Sequence, residues 1–417
     1  MGTGRESGRE CVARLAAINK SYGAALEKIY SLDRFGSRLG LGRIRRILRA
    51  LGSPEKSYRC ALVAGSNGKG STVEFIGAGL AKSGFRAGTY FSPQVREFAE
   101  RFRVNGKNAG RGEIVRAYSA VSKAAAKVAP AATFFEIVTA MALLIFKWRE
   151  VDIAVLEVGL GGRLDATNAV EPEVSAITSL SLEHTDVLGS TMGKIAHEKC
   201  GIARKGRPVV FGKLGREARK AVEEECRRRG AWAVFPDAAS LPGRIAAQGE
   251  FQRSNAAVAL EACRRLGADA KRSWKGIGRC KPCFRLERRG NLLLDCCHNP
   301  EAASALAKEV SRMKVPGKKV LLFSAMKDKD YGLCLAALAP QFGEIVLCEV
   351  GLERGERLPQ LARAARKAGA GAVLLKDAKQ ALSVAGMIAG KRGLVCVAGS
   401  IYLLSELFGK DKIRVAQ

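Results

Sequence analysis

A short apolar stretch that runs into a glycine-rich loop, and from there into a helical pattern, constrains this chain most. Cys60-Ala-Leu-Val-Ala64 reads as a strand, Gly65-Ser-Asn-Gly-Lys-Gly-Ser71 as the loop, and residues 72–82 as a helix that stops at Gly84. Strand, glycine loop, helix is the order a phosphate-binding loop requires. The loop's backbone N–H groups can wrap phosphate oxygens, and the helix N-terminus adds its dipole. Gly65, Asn67, Gly68, Lys69, Gly70 and Ser71 are therefore candidate nucleotide-binding residues, with Lys69 on the β/γ-phosphates and Ser71 on Mg2+. The pattern G-x-x-x-x-G-K-[ST] is not met, because Gly70 follows the lysine and the spacing from Gly65 is shorter. Glycine-rich turns between strand and helix also occur without nucleotides, so the loop alone points to ATP without requiring it.

The rest of the chain alternates strands and helices. Residues 153–157, 174–178 and 208–211 read as buried strands, and residues 136–148 as a helix whose apolar part, 137–146, belongs to a core. Residues 1–56 are basic and helical in pattern, with a break near 36–42 and a turn at Gly52-Ser-Pro54. The alternation restarts at residues 292–295 and continues through 320–323, 345–348, 372–375 and 394–397. This predicts an α/β fold: a P-loop-containing, mostly parallel sheet domain over residues 1–285, and a smaller Rossmann-like α/β domain over 286–417. The boundary falls in a stretch rich in Pro, Gly and Arg, residues 280–290.

Composition narrows the function. The chain has 417 residues, 47% of them hydrophobic, which suits a large buried core and excludes disorder throughout. The longest apolar run, residues 137–146, is too short to span a bilayer, and no export signal is seen at the N-terminus. A cytoplasmic protein with reduced thiols is expected from the 12 cysteines. Cys280-Lys-Pro-Cys283 with Cys296-Cys297 resembles a zinc site only superficially, since adjacent cysteines chelate a tetrahedral ion poorly. Lys and Arg number 70 against 40 for Asp and Glu, a net charge of +30. Such a surface attracts polyanions, either nucleic acid or a small substrate with several phosphates or carboxylates. The basic residues are dispersed and aromatics make up only 6%, which argues against nucleic acid and equally fits a solvated surface.

The departure of the glycine loop from the common pattern is informative. Its Gly-Lys-Gly-Ser form resembles the loop of the Mur ligase superfamily, in the folylpolyglutamate synthase/dihydrofolate synthase branch. Further motifs follow in order along almost the whole chain. They are Leu39-Gly-Leu-Gly-Arg43, Ser92-Pro-Gln94, Glu100-Arg-Phe-Arg-Val-Asn-Gly106, Thr133-Phe-Phe-Glu-Ile-Val-Thr139 and Glu157-Val-Gly-Leu-Gly-Gly-Arg-Leu-Asp-Ala-Thr-Asn168. Ile195-Ala-His-Glu-Lys-Cys-Gly-Ile202, Gln252-Arg-Ser-Asn255, Asp295-Cys-Cys-His-Asn-Pro300, Asp328-Lys-Asp330 and Gly399-Ser400 complete the series. The chain departs from the family at Gln94 and Phe251, where the family has His, and at Glu183, where it more often has Asp. Around Arg285 it lacks a Trp and carries an extra residue.

The resemblance implies an ATP-dependent ligase that adds L-glutamate to dihydropteroate or a folate through an acyl phosphate, acting as a monomer without nucleic acid or membrane. It implies two Mg2+ ions, with Ser71, Ser92, Glu157, His184 and a carbamylated Lys199 as metal-side residues, and Lys69, His184 and Lys199 as catalytic ones. Without the resemblance, Lys199 is simply a lysine ending a helix before Gly201. Asn255, Arg285, Asp295 and His298 fall on the nucleotide, His298 alternatively on the incoming glutamate. Gly40, Arg43, Thr133, Phe135, Glu136, Leu164, Asp165, Ala166 and Ser400 fall on substrate. His197 has no assigned role. A superfamily ligase for another pterin or a cell-wall precursor is the alternative, and a basic nucleic-acid-binding ATPase a remote one.

Overall fold

The computed structural model describes residues 8–32 and 39–409. The first sheet contains β1 (Arg59–Ala64), β2 (Ala87–Tyr90), β3 (Phe102–Val104), β4 (Lys107–Asn108), β5 (Ile153–Glu157), β6 (Pro172–Ile177), β7 (Pro208–Phe211) and β8 (Trp232–Val234), in the order β4-β3-β2-β5-β1-β6-β7-β8. From β2 to β8 every pairing is parallel, and the β3–β4 hairpin continues the sheet antiparallel at one edge. Neither that hairpin nor β8 is evident in the sequence pattern, because these strands are too short to carry a period.

β1 sits between β5 and β6 and is buried on both faces, which is why it reads as a continuous apolar run. Cys60, Leu62 and Ala64 face one core while Ala61 and Val63 face the other. Its register sets Val63 beside Glu157, so the glycine loop leaves the sheet next to that carboxylate. The helix after the loop begins at Lys69 rather than Thr72, three residues earlier than the sequence suggests. Gly68 takes a left-handed φ of +84° and turns the chain directly into the helix. Helix Phe134–Trp148 is buried from Glu136 to Phe146 and forms part of the core. Helices Gly8–Ser31 and Gly42–Ala50 account for the basic N-terminal region; residues 36–38 of the expected break lie outside the described residues.

The second sheet contains β9 (Glu287–Arg289), β10 (Leu292–Leu294), β11 (Lys319–Phe323), β12 (Glu344–Cys348), β13 (Val373–Leu375) and β14 (Leu394–Ala398), ordered β13-β12-β11-β14-β10-β9. All pairings are parallel except β9 with β10. Helices cover both faces, giving two cores. Cys296 packs into one and Cys297 into the other, so these adjacent thiols point apart. Among the described residues no helix is long and apolar enough to cross a membrane.

Candidate active site

The helix Lys69–Lys82 begins with its amide groups open, since no side chain caps it. Lys69 folds back so that its Nζ donates to the carbonyls of Gly65 (2.8 Å) and Ser66 (3.1 Å). A Cβ on Gly68 would stand 2.4 Å from Asn255 Oδ1, so close approach as well as φ demands glycine there. Asn255 Nδ2 donates to Gln252 Oε1 (3.0 Å), and Gln252 Nε2 donates to Ser71 Oγ (3.2 Å). Gln252 is a residue the sequence reading quoted without a role; its function depends on contacts that no spacing reveals.

Glu157 ends β5 at the lip of the glycine loop, 6% exposed. Its Oε2 accepts the Ser92 N–H (2.9 Å). Burial pushes its pKa up, against the pull of Lys69. A buried carboxylate with one hydrogen bond favours a cation beside it, and the hydroxyls of Ser71 and Ser92 are further hard oxygen donors of the kind Mg2+ takes.

Lys199 ends its helix 2% exposed, with Nζ 3.1 Å from Glu183 Oε1. Burial lowers its pKa to about 8, although Glu183 opposes the shift. Burial would raise the Glu183 carboxyl, but Lys69 and Lys199 outweigh it and bring it to about 2. His184 adopts φ +49°, and its Nε2 lies 3.2 Å from the Nζ of Lys329. Burial and Lys329 both hold its pKa below the ordinary value, keeping the imidazole neutral with a lone pair toward the ammonium.

The loops of the second sheet form the opposite wall. Arg285 stands between Phe284 (φ +51°) and Leu286 (φ +52°), two left-handed residues that each cost roughly 1–2 kcal/mol. Carboxylates hold this bend: Glu287 accepts the Phe284 N–H and Asp295 accepts the N–H groups of Leu286 and Cys297, each at 2.9 Å. Asp295 is thus engaged in shaping the turn that aims Arg285. His298 Nδ1 donates to the Cys296 carbonyl (3.1 Å), leaving Nε2 as an acceptor, and burial lowers its pKa to about 4. Asn299 caps helix Pro300–Arg312 through the Ala302 N–H, and its amide also donates to Asn67 Oδ1 (2.9 Å). Ser400 likewise caps the helix Ile401–Phe408.

These groups converge on one cleft of about 250 Å3 between the sheets, at the carboxyl ends of their strands, where open α/β sheets bind ligands. Gly65, Asn67, Gly68, Lys69, Gly70, Ser92, Glu157, His184, Lys199, Arg285, His298 and Ser400 all line it. So do Glu183, Asp328, Lys329 and Arg354, which the sequence reading left without a site role. Ser71, Asn255 and Asp295 stand behind its wall.

The remaining predicted residues form an adjoining group. The Gly40 N–H meets the Leu164 carbonyl (3.3 Å), and Arg43 Nε pairs with Glu136 (2.9 Å). Glu136 also accepts from Thr133 in a capping box. Phe135 packs against Gly159, which lines the cleft. Asp165 holds the Gly159, Leu160 and Thr167 N–H groups, so its carboxylate shapes the loop that carries Leu164 and Ala166. Gln94 bridges Tyr30 and the buried Arg101 beside these aromatics. His197 lies apart, half exposed against Glu225. A wider, shallower depression at the opposite ends of the strands, lined by Arg59, Asp152, Glu173 and Arg207, has none of this chemistry.

Comparison with known proteins matches this arrangement. Residues 63–211 match the Mur ligase middle domain, and residues 283–401 the Mur ligase glutamate ligase domain. The dihydrofolate synthase/folylpolyglutamate synthase of Bacillus subtilis is 30% identical, with 93% of this chain and 98% of that one covered. A probable bifunctional folylpolyglutamate synthase/dihydropteroate synthase of Haloferax volcanii is 35% identical over 92% of this chain; the chain spans about half (50%) of that relative's length. The crystal structure of Mycobacterium tuberculosis folylpolyglutamate synthase complexed with ADP and AMPPCP superposes with a TM-score of 0.86 at 29% identity, covering 94% of this chain and 99% of that one. A cleft between a phosphate-loop sheet and a second parallel sheet, with these motifs on its walls and these relatives along its length, makes the chain a member of the folylpolyglutamate synthase/dihydrofolate synthase family.

Proposed function

We propose that this chain is an ATP-dependent ligase that joins L-glutamate to the carboxyl group of dihydropteroate, of a folate, or of both. The observation that carries the reading is the meeting, in one cleft, of an open helix N-terminus with Lys69, a buried Glu157, and the pair Lys199–Glu183. The amides and Lys69 suit the phosphates of ATP, which supplies the phosphoryl group that activates the acceptor carboxylate. Ser71, Ser92 and Glu157 would hold one Mg2+. His184 and Lys199 would hold a second, with Lys199 as its carbamate. The amine pKa of about 8 supports carbamylation, because CO2 adds to the neutral amine. A carbamate would place an anion beside Glu183, and a divalent cation would offset their repulsion.

Arg285, Lys69 and Lys329 bring positive charge to both walls, as a nucleotide and a carboxylated acceptor demand. His298, titrating near 4, is too weak a base to take a proton from an ammonium; it serves as a hydrogen-bond acceptor for the nucleotide or the glutamate. The group around Gly40, Phe135 and Leu164–Ala166 would face the pterin, with Asp165 holding its loop in shape. The same reading divides the chain after residue 285 and closes the cleft against water, which would hydrolyse an acyl phosphate. One chain supplies every group named, so the enzyme would act as a monomer; the free cysteines suit the cytoplasm.

The test is glutamate-dependent ADP formation with Mg2+, using dihydropteroate and tetrahydrofolate as separate acceptors, with products identified by mass. Turnover with either supports the reading and assigns the substrate. Glutamate-independent ADP release, or none with both acceptors, would overturn it.

A further inference from the structure

Behind the glycine loop a hydrogen-bond chain runs from Asn255 through Gln252 to Ser71. Gln252 is fully buried and comes from helix Glu250–Arg265, across from the loop. Its two amide atoms are both committed: Oε1 accepts from Asn255 and Nε2 donates to the Ser71 hydroxyl. Asn255 is itself wedged over Gly68, where even a methyl group would collide with it. The chain therefore grips the first helical turn at two points, Gly68 and Ser71. A serine hydroxyl rotates freely about its Cβ–Oγ bond unless a partner fixes it. An N–H aimed at Ser71 Oγ occupies one lone pair on the core side, and the hydroxyl hydrogen must point elsewhere. The second lone pair and the hydrogen share the two remaining directions, and Glu157 stands beside Gly70, the residue before Ser71.

We propose that Gln252 is a positioning residue for metal binding: it orients the Ser71 hydroxyl toward a divalent cation shared with Glu157. The inference rests on the ligase reading for the presence of that cation, but it concerns the fixing of Ser71 alone. Outer groups that orient a ligand change metal affinity by about 10- to 100-fold when removed.

The experiment is a mutant cycle on Mn2+ affinity, measured by electron paramagnetic resonance in the full-length protein with ADP bound. Gln252→Met keeps the volume and removes both hydrogen bonds; it is expected to weaken Mn2+ binding about 10-fold. In a Ser71→Ala background the same change should have less than about a 2-fold effect, because the route through the hydroxyl is gone. ADP affinity without metal separates this from general damage to the loop and should stay within about 3-fold. Gln252→Asn, whose shortened amide is withdrawn from Ser71, gives the same comparison if the Met variant does not fold. An unchanged Mn2+ affinity in Gln252→Met, or an equal loss with and without Ser71, overturns the proposal. Failure of the parent protein to bind Mn2+ with ADP would instead overturn the ligase reading.

Discussion

Three helices that begin at the cleft, one on the first wall and two on the second, start in opposite ways. On the first wall, helix Lys69–Lys82 begins at a left-handed glycine with no side chain on its amides. On the second, helices Pro300–Arg312 and Ile401–Phe408 begin with Asn299 and Ser400, whose side chains occupy the same kind of amides. All three helices follow strands of parallel sheets, so their dipoles alike favour negative charge at the cleft. Only the first leaves its donors for a ligand. A capped helix start is closed by its own chain at a gain of about 1 kcal/mol. An uncapped one gives up that gain for a phosphate site. On the proposed function, the open start of Lys69–Lys82 would take the phosphates, and the second wall would contribute side chains: Arg285, His298 and Lys329.

The largest effect should follow from damage to the open wall. Lys69→Met should lower kcat by about 100- to 1,000-fold, as loss of one charge-stabilising donor does, with some fall in melting temperature as well, because Lys69 also offsets the buried charges of Glu157 and Glu183. Steady-state kinetics beside thermal denaturation would check this. If turnover survived, the uncapped start would be an accident of the loop and the comparison would collapse. Glu157→Gln comes next. Removing its charge should weaken nucleotide binding in the presence of Mg2+ about 10-fold or more and leave metal-free ADP binding nearly unchanged. Calorimetric titration with and without the metal would separate the two. Equal losses in both would make Glu157 a contact of the nucleotide rather than of the metal.

Lys199 gives the comparison a pH dependence. Its folded pKa, about 8, lies below the ordinary lysine value, so the ammonium paired with Glu183 dominates below pH 8 and the neutral amine above it. After CO2 is stripped from the protein, recovery of activity on adding bicarbonate should be about 25-fold faster at pH 8.5 than at pH 6.5, following the neutral amine once dissolved CO2 is held equal. Lys199→Arg should show no recovery at either pH, because a guanidinium keeps its charge. Recovery independent of pH, or an active Arg variant, would remove carbamylation from the mechanism.

Much of this was legible in the sequence, and the part that was not has a common physical cause. The buried parallel strands are continuous apolar runs; β5 and β7 occupy the residues expected from the pattern alone. The glycine loop, Glu157, His184 and Lys199, which line one cleft, are legible because motifs record chemistry that is local in the chain. The Lys199–Glu183 pair, the Gln252–Ser71 bond and the Arg285 bend held by Asp295 join residues 16, 181 and up to nine positions apart through the folded backbone. Periodicity carries no trace of them. The same holds for the bonds of Asp165 and Ser400, whose side chains shape a loop and cap a helix. A motif picks out residues by their order in the chain, and the hydrogen bonds show which side chains the fold itself already engages.

The smallest expected effect tests the closed wall. Asn299→Ala removes the cap from helix Pro300–Arg312, exposing the Ala302 N–H, and also removes one partner of Asn67. Loss of the cap should cost about 1 kcal/mol of stability, read as a fall of the denaturation midpoint in urea with an unchanged slope. Asn67 keeps its backbone bond to Ser179 Oγ and its side-chain bond to Glu301, so the glycine loop should hold its shape. Nucleotide affinity should accordingly change by less than about 3-fold. If instead affinity fell about 10-fold, as expected for Glu157→Gln with Mg2+, while the midpoint stayed in place, Asn299 would be acting on ligand and not on its own helix. The two walls would then differ in degree only, and the second helix start would have to be counted as part of the nucleotide site.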